Sequence, residues 1–263
     1  MTASTTHLRA VSGPAETERP VRETGNRPIQ LACPVTIQRY ADGKLAFKKD
    51  SIAEEADIRL TVNGQQEAVL ARTPGDDMNL VAGYLFSRAM VMCPEDILSI
   101  TFSYHGPSRV DVVLKAPSVV RRIYPSPRPV HIAPELLFRL KEIFERRQSL
   151  FKNTGSTHAA ALFSKEGELI SYGEDVGRHN AFDKAVGRSL NEGTLETVTI
   201  AMLSSRLALE LAMKATTANI PVLCGFSAAT SSAITFAERN NLSLVGRIKG
   251  NSFNVYANGW RFC

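Results

Sequence analysis

Cysteine is scarce in this chain and scattered. Cys33, Cys93, Cys224 and Cys263 are its four, and no two of them stand at the spacing of a zinc knuckle or a Cys-x-x-Cys redox pair. In a reducing compartment all four should be free thiols, and Cys224, within the apolar run Val222-Leu223-Cys224, reads as core packing. Long hydrophobic runs are missing as well. No apolar stretch reaches the roughly 20 residues of a membrane helix, and the N-terminus lacks the charged-then-apolar order of a signal peptide. The expected location is therefore the cytoplasm, with no membrane contact. Neither sign of charge is in large excess: 31 Lys and Arg against 26 Asp and Glu leave +5. That suits an anionic ligand or an acidic protein face and is too little to imply nucleic acid.

What is present is ample for a packed protein. A chain of 263 residues with 44% hydrophobic content can bury a full core in one large or two smaller domains. Residues 1–28, rich in Thr, Ser, Pro, Glu and Arg, have the composition of a disordered tail. Beyond it Val35-Thr36-Ile37 can alternate as a strand, and Ile58, Leu60 and Val62 lead through Asn63-Gly64 into Ala68-Val69-Leu70, which predicts a hairpin. Asp76 or Asp77 can cap a helix bearing Met78, Val81, Ala82, Leu85 and Phe86, followed by strands at Ile100 and Phe102 and at Val110 to Leu114. Together these predict a small α+β domain over 29–116. Residues 117–134, with several prolines and three arginines, predict an exposed, mobile loop.

From residue 135 the pattern changes. Glu135 to Gln148 has helical spacing, with Leu136, Leu137, Leu140, Ile143 and Phe144 on one side and Arg139, Arg146 and Arg147 on the other. Such a basic face is usually solvated, and a landing surface for an acidic partner is the rarer reading. Strands at Ala159–Phe163, Leu169–Tyr172, Val198–Leu203, Val222–Phe226, Leu242–Ile248 and Phe253–Tyr256 interleave with helices over Asn180–Leu190, Arg206–Ala218 and Thr230–Arg239. That alternation predicts a three-layer α/β domain over 135–263.

The densest run of polar and small residues lies at 154–187. Its two strands should form a hairpin that brings Thr154-Gly155-Ser156-Thr157-His158 and Glu174-Asp175-Val176-Gly177-Arg178-His179-Asn180 to one sheet edge. The second group also opens a helix, where free N–H groups favour anions. Taken singly, Asp175 can be a helix cap, His158 a satisfied core histidine, and Arg178 the partner of Asp183 or Glu174. Taken together they exceed what a hairpin needs, so Gly155, His158, Asp175, Arg178, His179 and Asn180 form a candidate binding site. His158 and Asp175 are expected to face one cavity. Two more strand-to-helix junctions carry hydroxyls, Ser204-Ser205-Arg206 and Ser227-Ala228-Ala229-Thr230, and open α/β sheets bind ligands at such ends. Ser204, Ser205 and the Arg206 fork suit phosphates, whereas Ser231 and Ser232 read as helix caps. The stretch Arg247-Ile248-Lys249-Gly250-Asn251-Ser252 reads first as a hairpin turn, and its two cations and free N–H groups suit a pyrophosphate.

These residues resemble a known family. TG-x-THAAALF from Thr154, EDVGRHNA-x-DK from Glu174, RTPGDD at Arg72–Asp77, SSR at Ser204–Arg206, PVL-x-x-x-SA-x-TS from Pro221 to Ser231, and LVG followed by FNVY near the C-terminus are similar to motifs of the formate dehydrogenase accessory proteins, FdhD/NarQ. The resemblance implies a cytidine-deaminase-like three-layer α/β/α domain joined to the smaller N-terminal α+β domain. It implies a protein that transiently binds the bis-guanine-dinucleotide form of molybdenum cofactor, Mo-bis(molybdopterin guanine dinucleotide), and passes sulfur to its metal. The sulfur would come from a cysteine desulfurase through a Cys-x-x-Cys loop, in the service of a formate dehydrogenase. It places the guanine dinucleotide against Arg247 to Ser252. From the anion-suited helix terminus and Lys249, the last hairpin and the helix start at 175–180 are expected to share one pocket that binds guanine nucleotides. A homodimer is expected.

The chain departs from that pattern in two places. Where the family carries Cys-x-x-Cys it has Ile123-Tyr124-Pro125-Ser126-Pro127, and the family cysteine within TG-x-TH is Ser156. A persulfide needs a thiolate, so no catalytic residue can be named. Cys93, in Met92-Cys93-Pro94, matches no motif and reads as a bystander. The zinc set of a deaminase is also missing, because His158 is followed by Ala159-Ala160 and no Pro-Cys-x-x-Cys exists. No metal site and no deamination are expected. Two function classes stay open: a sulfurtransferase acting on molybdenum cofactor, and a cofactor-holding chaperone of a formate dehydrogenase without sulfur chemistry.

Overall fold

The computed structural model describes residues 21–24, 29–115 and 129–262. Its first half contributes strands β1 (Val21–Thr24), β2 (Ala32–Ala41), β3 (Lys44–Ala53), β4 (Ala56–Val62) and β5 (Gln65–Arg72), helix α1 (Asp77–Ser87), and strands β6 (Ile97–Ser103) and β7 (Ser108–Leu114). The second half runs α2 (Pro134–Arg147), α3 (Ser149–Thr154), β8 (His158–Phe163), β9 (Leu169–Asp175), α4 (Arg178–Asn191), β10 (Ile200–Leu203), α5 (Leu209–Thr217), β11 (Val222–Gly225), α6 (Ser231–Arg239), β12 (Ser243–Lys249) and β13 (Ser252–Ala257).

Strands that are apolar on both faces need cover on both, and this explains the layers of the second half. Its six strands lie in the order β13-β12-β11-β10-β8-β9, with β10, β11 and β12 parallel and β8 antiparallel to both its neighbours. Successive side chains divide between the faces. Ala159, Ala161, Phe163, Ile200, Met202, Val222, Cys224 and Val245 pack with Leu137, Leu140 and Phe144 of α2. Ala160, Leu162, Ala201, Leu203, Leu223 and Leu244 share a core with Phe182, Ala185 and Val186 of α4, Leu211 of α5 and Ala233 of α6. The result is the expected three layers, helix on sheet on helix.

The first half builds a five-stranded sheet, β1-β6-β7-β4-β5. Asn63 and Gly64 both have positive φ at the β4–β5 turn, as a two-residue hairpin turn requires. Ile58, Leu60, Phe102, Val110 and Val112 of this sheet pack with Val81 and Leu85 of α1, and α1 packs in turn on α4. Glycines let the two helices meet. A methyl group at Gly83 would collide with the Asp183 carbonyl, and one at Gly187 with that of Asn79. The two larger sheets draw on separate parts of the chain, while a single buried cluster runs through both.

Three expectations need correction. Val21–Thr24, assigned to an unstructured tail, form a parallel strand beside β6; residues 1–20 lie outside the described residues. Of the loop expected over 117–134, residues 117–128 also lie outside them, but its exit is held fast. Ile132 is 2% exposed and donates its N–H to the Arg261 carbonyl at 2.8 Å. The short strand read at Val35–Ile37 belongs to a ribbon of ten-residue strands, β2 paired with β3 and, among the described residues, with no other strand. A smaller shift concerns α5, which starts three residues late because Leu207 is bridged to Ala229 and exchanges backbone hydrogen bonds with Ala228 and Thr230.

Candidate functional site

The strand directions decide what can meet. β9, β10, β11 and β12 end, and β8 and β13 begin, at one edge of the six-stranded sheet. The polar clusters predicted for that edge are all there. They are spread along it, however: β8, β10 and β11 separate β9 from β12, a distance of roughly 19 Å at the usual strand spacing. The helix start at 175–180 and the last hairpin therefore do not share one pocket.

At the β9 end the residues are consumed by structure. Asp175 is fully buried, with Lys184 Nζ at 2.7 Å. Its carboxylate also accepts from the Thr73 N–H at 3.1 Å, the Gly177 N–H at 2.8 Å and Asn180 Nδ2 at 3.0 Å. Asn180 spends its other proton on the Ala71 carbonyl at 2.7 Å, and Lys184 reaches the Thr73 carbonyl at 2.9 Å. A carboxylate with four donors has no capacity left for a ligand, so Asp175 and Asn180 clamp the two halves, and Asp175 has no surface open to a ligand. Glu174 is engaged too, accepting from the Phe151 N–H at 2.7 Å and from Thr157 Oγ1 at 2.9 Å. Asp183 takes Ser87 Oγ at 2.7 Å and the Lys214 ammonium rather than Arg178. Arg72 and Asp77 close a bidentate pair at 2.8 and 2.9 Å, joined by the Tyr104 hydroxyl at 3.1 Å. The RTPGDD and EDVGRHNA-x-DK stretches are thus largely the two sides of one seam. Lys184 and Thr73, central to it, lie within those motifs but are not among the candidate site residues.

The middle of the edge is different. His158 Nδ1 lies 3.3 Å from Ser204 Oγ, which also receives the Ala159 N–H at 3.0 Å. His179 Nε2 stands 3.2 Å from Glu210. Arg178 Nε and His179 Nδ1 are buried without a hydrogen-bond partner among the described residues, at the start of α4, which lacks a side-chain cap. Burial, then the Arg178 charge, lowers the His158 pKa. Burial, then Lys214 and Arg178, lowers that of His179. Both imidazoles are neutral at pH 7, and the spare donors and the Arg178 charge suit an anion. Ser205 is buried with its hydroxyl on the Arg206 carbonyl, whereas Arg206 is exposed. Gly155 is the left-handed C-cap of α3, φ 69°, and is open to solvent.

At the β12 end a groove of about 540 Å³ is lined by Phe226, Ser227, Ala228, Arg247, Lys249, Ser252 and Asn254. Arg247 has φ 54° within a break in the β12–β13 register, and its N–H donates to the Ser227 carbonyl at 3.1 Å. A left-handed arginine costs on the order of 1–3 kcal/mol, and such strain collects at functional sites. Of the six residues predicted here, Arg247, Lys249 and Ser252 line the groove. Ile248 points into the core, 2% exposed, and Gly250 and Asn251 form the exposed turn. Phe226, at the end of the strand read over Val222–Phe226, and Asn254, the second residue of FNVY, line the groove too and are not among the candidate site residues.

Fold and edge together define an α/β protein with cationic stations along the carboxyl ends of its sheet. The FdhD/NarQ family profile matches residues 53–123 and 111–263, and the chain belongs to that family. It is 36% identical over 259 residues to "Sulfur carrier protein FdhD" of Streptomyces avermitilis, covering 84% of this chain and 92% of the relative. Over 234 residues it is 37% identical to the protein of the same name from Sulfurisphaera tokodaii, covering 80% and 91%. A Desulfotalea psychrophila crystal structure assigned as a formate dehydrogenase accessory protein has the same fold, with TM-score 0.76 and 21% identity, covering 89% of this chain and all of that one.

Proposed function

We propose that this chain is a cytoplasmic accessory protein for a formate dehydrogenase, holding the bis-guanine-dinucleotide molybdenum cofactor as cargo along the sheet edge. The observation that carries this is the groove at the β12 end, where Arg247 is held strained beside Lys249. Two cations and the hydroxyls of Ser227 and Ser252 suit a diphosphate, and Phe226 offers an apolar ring at the same place. The middle station, with Arg178, His179, His158 and Ser204, suits a second anionic portion of an elongated ligand. The relatives' name supports sulfur carriage to that cargo, with a cysteine desulfurase as donor.

A second reading, a cofactor chaperone without sulfur chemistry, is favoured by the thiols. Cys33 donates to Glu54 at 2.6 Å and that hydrogen bond raises its pKa. Burial raises those of Cys93 and Cys224. None of the three described thiols is prepared as a thiolate.

Calorimetry with guanosine diphosphate tests the groove. Lys249→Glu should weaken binding about tenfold, the size of one charge-assisted hydrogen bond at a partly open site. Unchanged affinity in the folded variant would remove the groove from the reading. Intact mass after incubation with a cysteine desulfurase and cysteine separates the two readings, since a persulfide adds one sulfur and a pure chaperone gains none.

A further inference from the structure

Beyond its root on α3, the β2–β3 ribbon pairs with no further strand among the described residues. At the usual rise its ten-residue strands reach roughly 33 Å, and residues 38–50 are exposed throughout. A lone two-stranded ribbon is marginal in water. Even so it carries large apolar side chains: Tyr40 is 70%, Leu45 64% and Phe47 76% exposed. The register pairs Tyr40 with Leu45 and Gln38 with Phe47, so all three apolar groups lie on one face. Between residues 38 and 50, Arg39, Lys44, Lys48 and Lys49 stand against Asp42 and Asp50, leaving a net charge of +2.

The root of the arm is fixed beside the proposed site. Ser51 Oγ accepts from Asn153 Nδ2 at 3.2 Å, and the Ala53 N–H reaches Ser156 Oγ at 3.4 Å. Ile29 lies against Gly75, which holds φ +86° in the turn before α1. Lysines along exposed strands oppose edge pairing, and like charge opposes the arm of a second copy. What fits is an apolar cleft rimmed by carboxylates on another protein. We infer that the β2–β3 arm docks such an acidic, apolar cleft on the client dehydrogenase and so brings the client to the sheet edge. This rests on the function proposed above.

The test is the affinity of purified apo formate dehydrogenase from the same organism for the full chain, compared with Tyr40→Glu/Phe47→Glu and Lys44→Glu/Lys49→Glu. Each double variant should bind at least tenfold more weakly, with guanosine diphosphate binding unchanged, and wild-type affinity should fall as salt is raised. Wild-type affinity in both variants overturns the inference. So does a fall in the sedimenting mass of the free protein, because that makes the arm a contact between copies. If the wild type restores dehydrogenase activity in a deletion strain and the arm variants restore it equally, the arm assignment falls and the function stands. A wild type that neither binds nor restores activity brings down the function and the arm together.

Discussion

Lys184 Nζ lies 2.7 Å from an Asp175 carboxylate that is wholly withdrawn from water, and between them the two groups hold the N–H and the carbonyl of Thr73 in the other half. Removing one member strands the other charge in a dry place. Lys184→Met should therefore cost about 3–5 kcal/mol of unfolding free energy in urea titration. A loss below about 1 kcal/mol would show that the pair is not the clamp its geometry describes.

The α1–α4 crossing depends on two missing side chains. Gly83→Ala puts a methyl group onto the Asp183 backbone, and the flexible end of no side chain is there to give way. Overpacking of this kind costs about 1–3 kcal/mol. Thermal melts of Gly83→Ala should show it, and an unchanged melting temperature would mean that the helices can separate freely.

Acid should destabilise the fold before the carboxylates titrate. His158 and His179 have pKa values below the ordinary 6.5, so the folded chain binds fewer protons than the unfolded one as pH drops. The stability these groups contribute is full above 6.5 and declines as pH falls through that value toward their folded pKa values. Melting temperature should therefore fall between neutral pH and about 5.5, and less steeply in His158→Gln/His179→Gln. Equal slopes in variant and wild type would argue against the neutral imidazoles.

Cys93 sits beside a cavity of about 630 Å³ lined by Phe86, Met92, Leu190 and Thr217 among others, far from the site edge. Burial raises its pKa, and its bond to Glu95 raises it further. Cys93→Ser should restore formate dehydrogenase activity in a deletion strain as well as the wild type does, and the thiol should react slowly with a thiol reagent at pH 7. Loss of activity in that variant would make Cys93 a relocated sulfur relay.

The layers were legible because both-face burial writes itself as runs such as Ala159–Phe163, and the hairpin turn because Asn63-Gly64 is a local signal. The common edge followed from counting strand directions. The seam was not legible, because Asp175 finds Thr73 across 102 residues and Lys184 nine residues on, separations with no period. The same holds for the strained Arg247, whose N–H is held by the carbonyl of Ser227 in the bend just past β11. Nor did the ribbon announce itself, since its apolar groups mark an exposed face rather than a buried one.

One core spanning both halves also constrains how the chain can be made. The first sheet and α1 leave the ribosome with their apolar surface still uncovered, because α4, which closes it, ends only at Asn191. From the end of β7 at Leu114 to that point, translation takes roughly 4–15 s. During that interval Phe86 and its neighbours are open to any hydrophobic binder nearby, so the nascent first half is a client for chaperones.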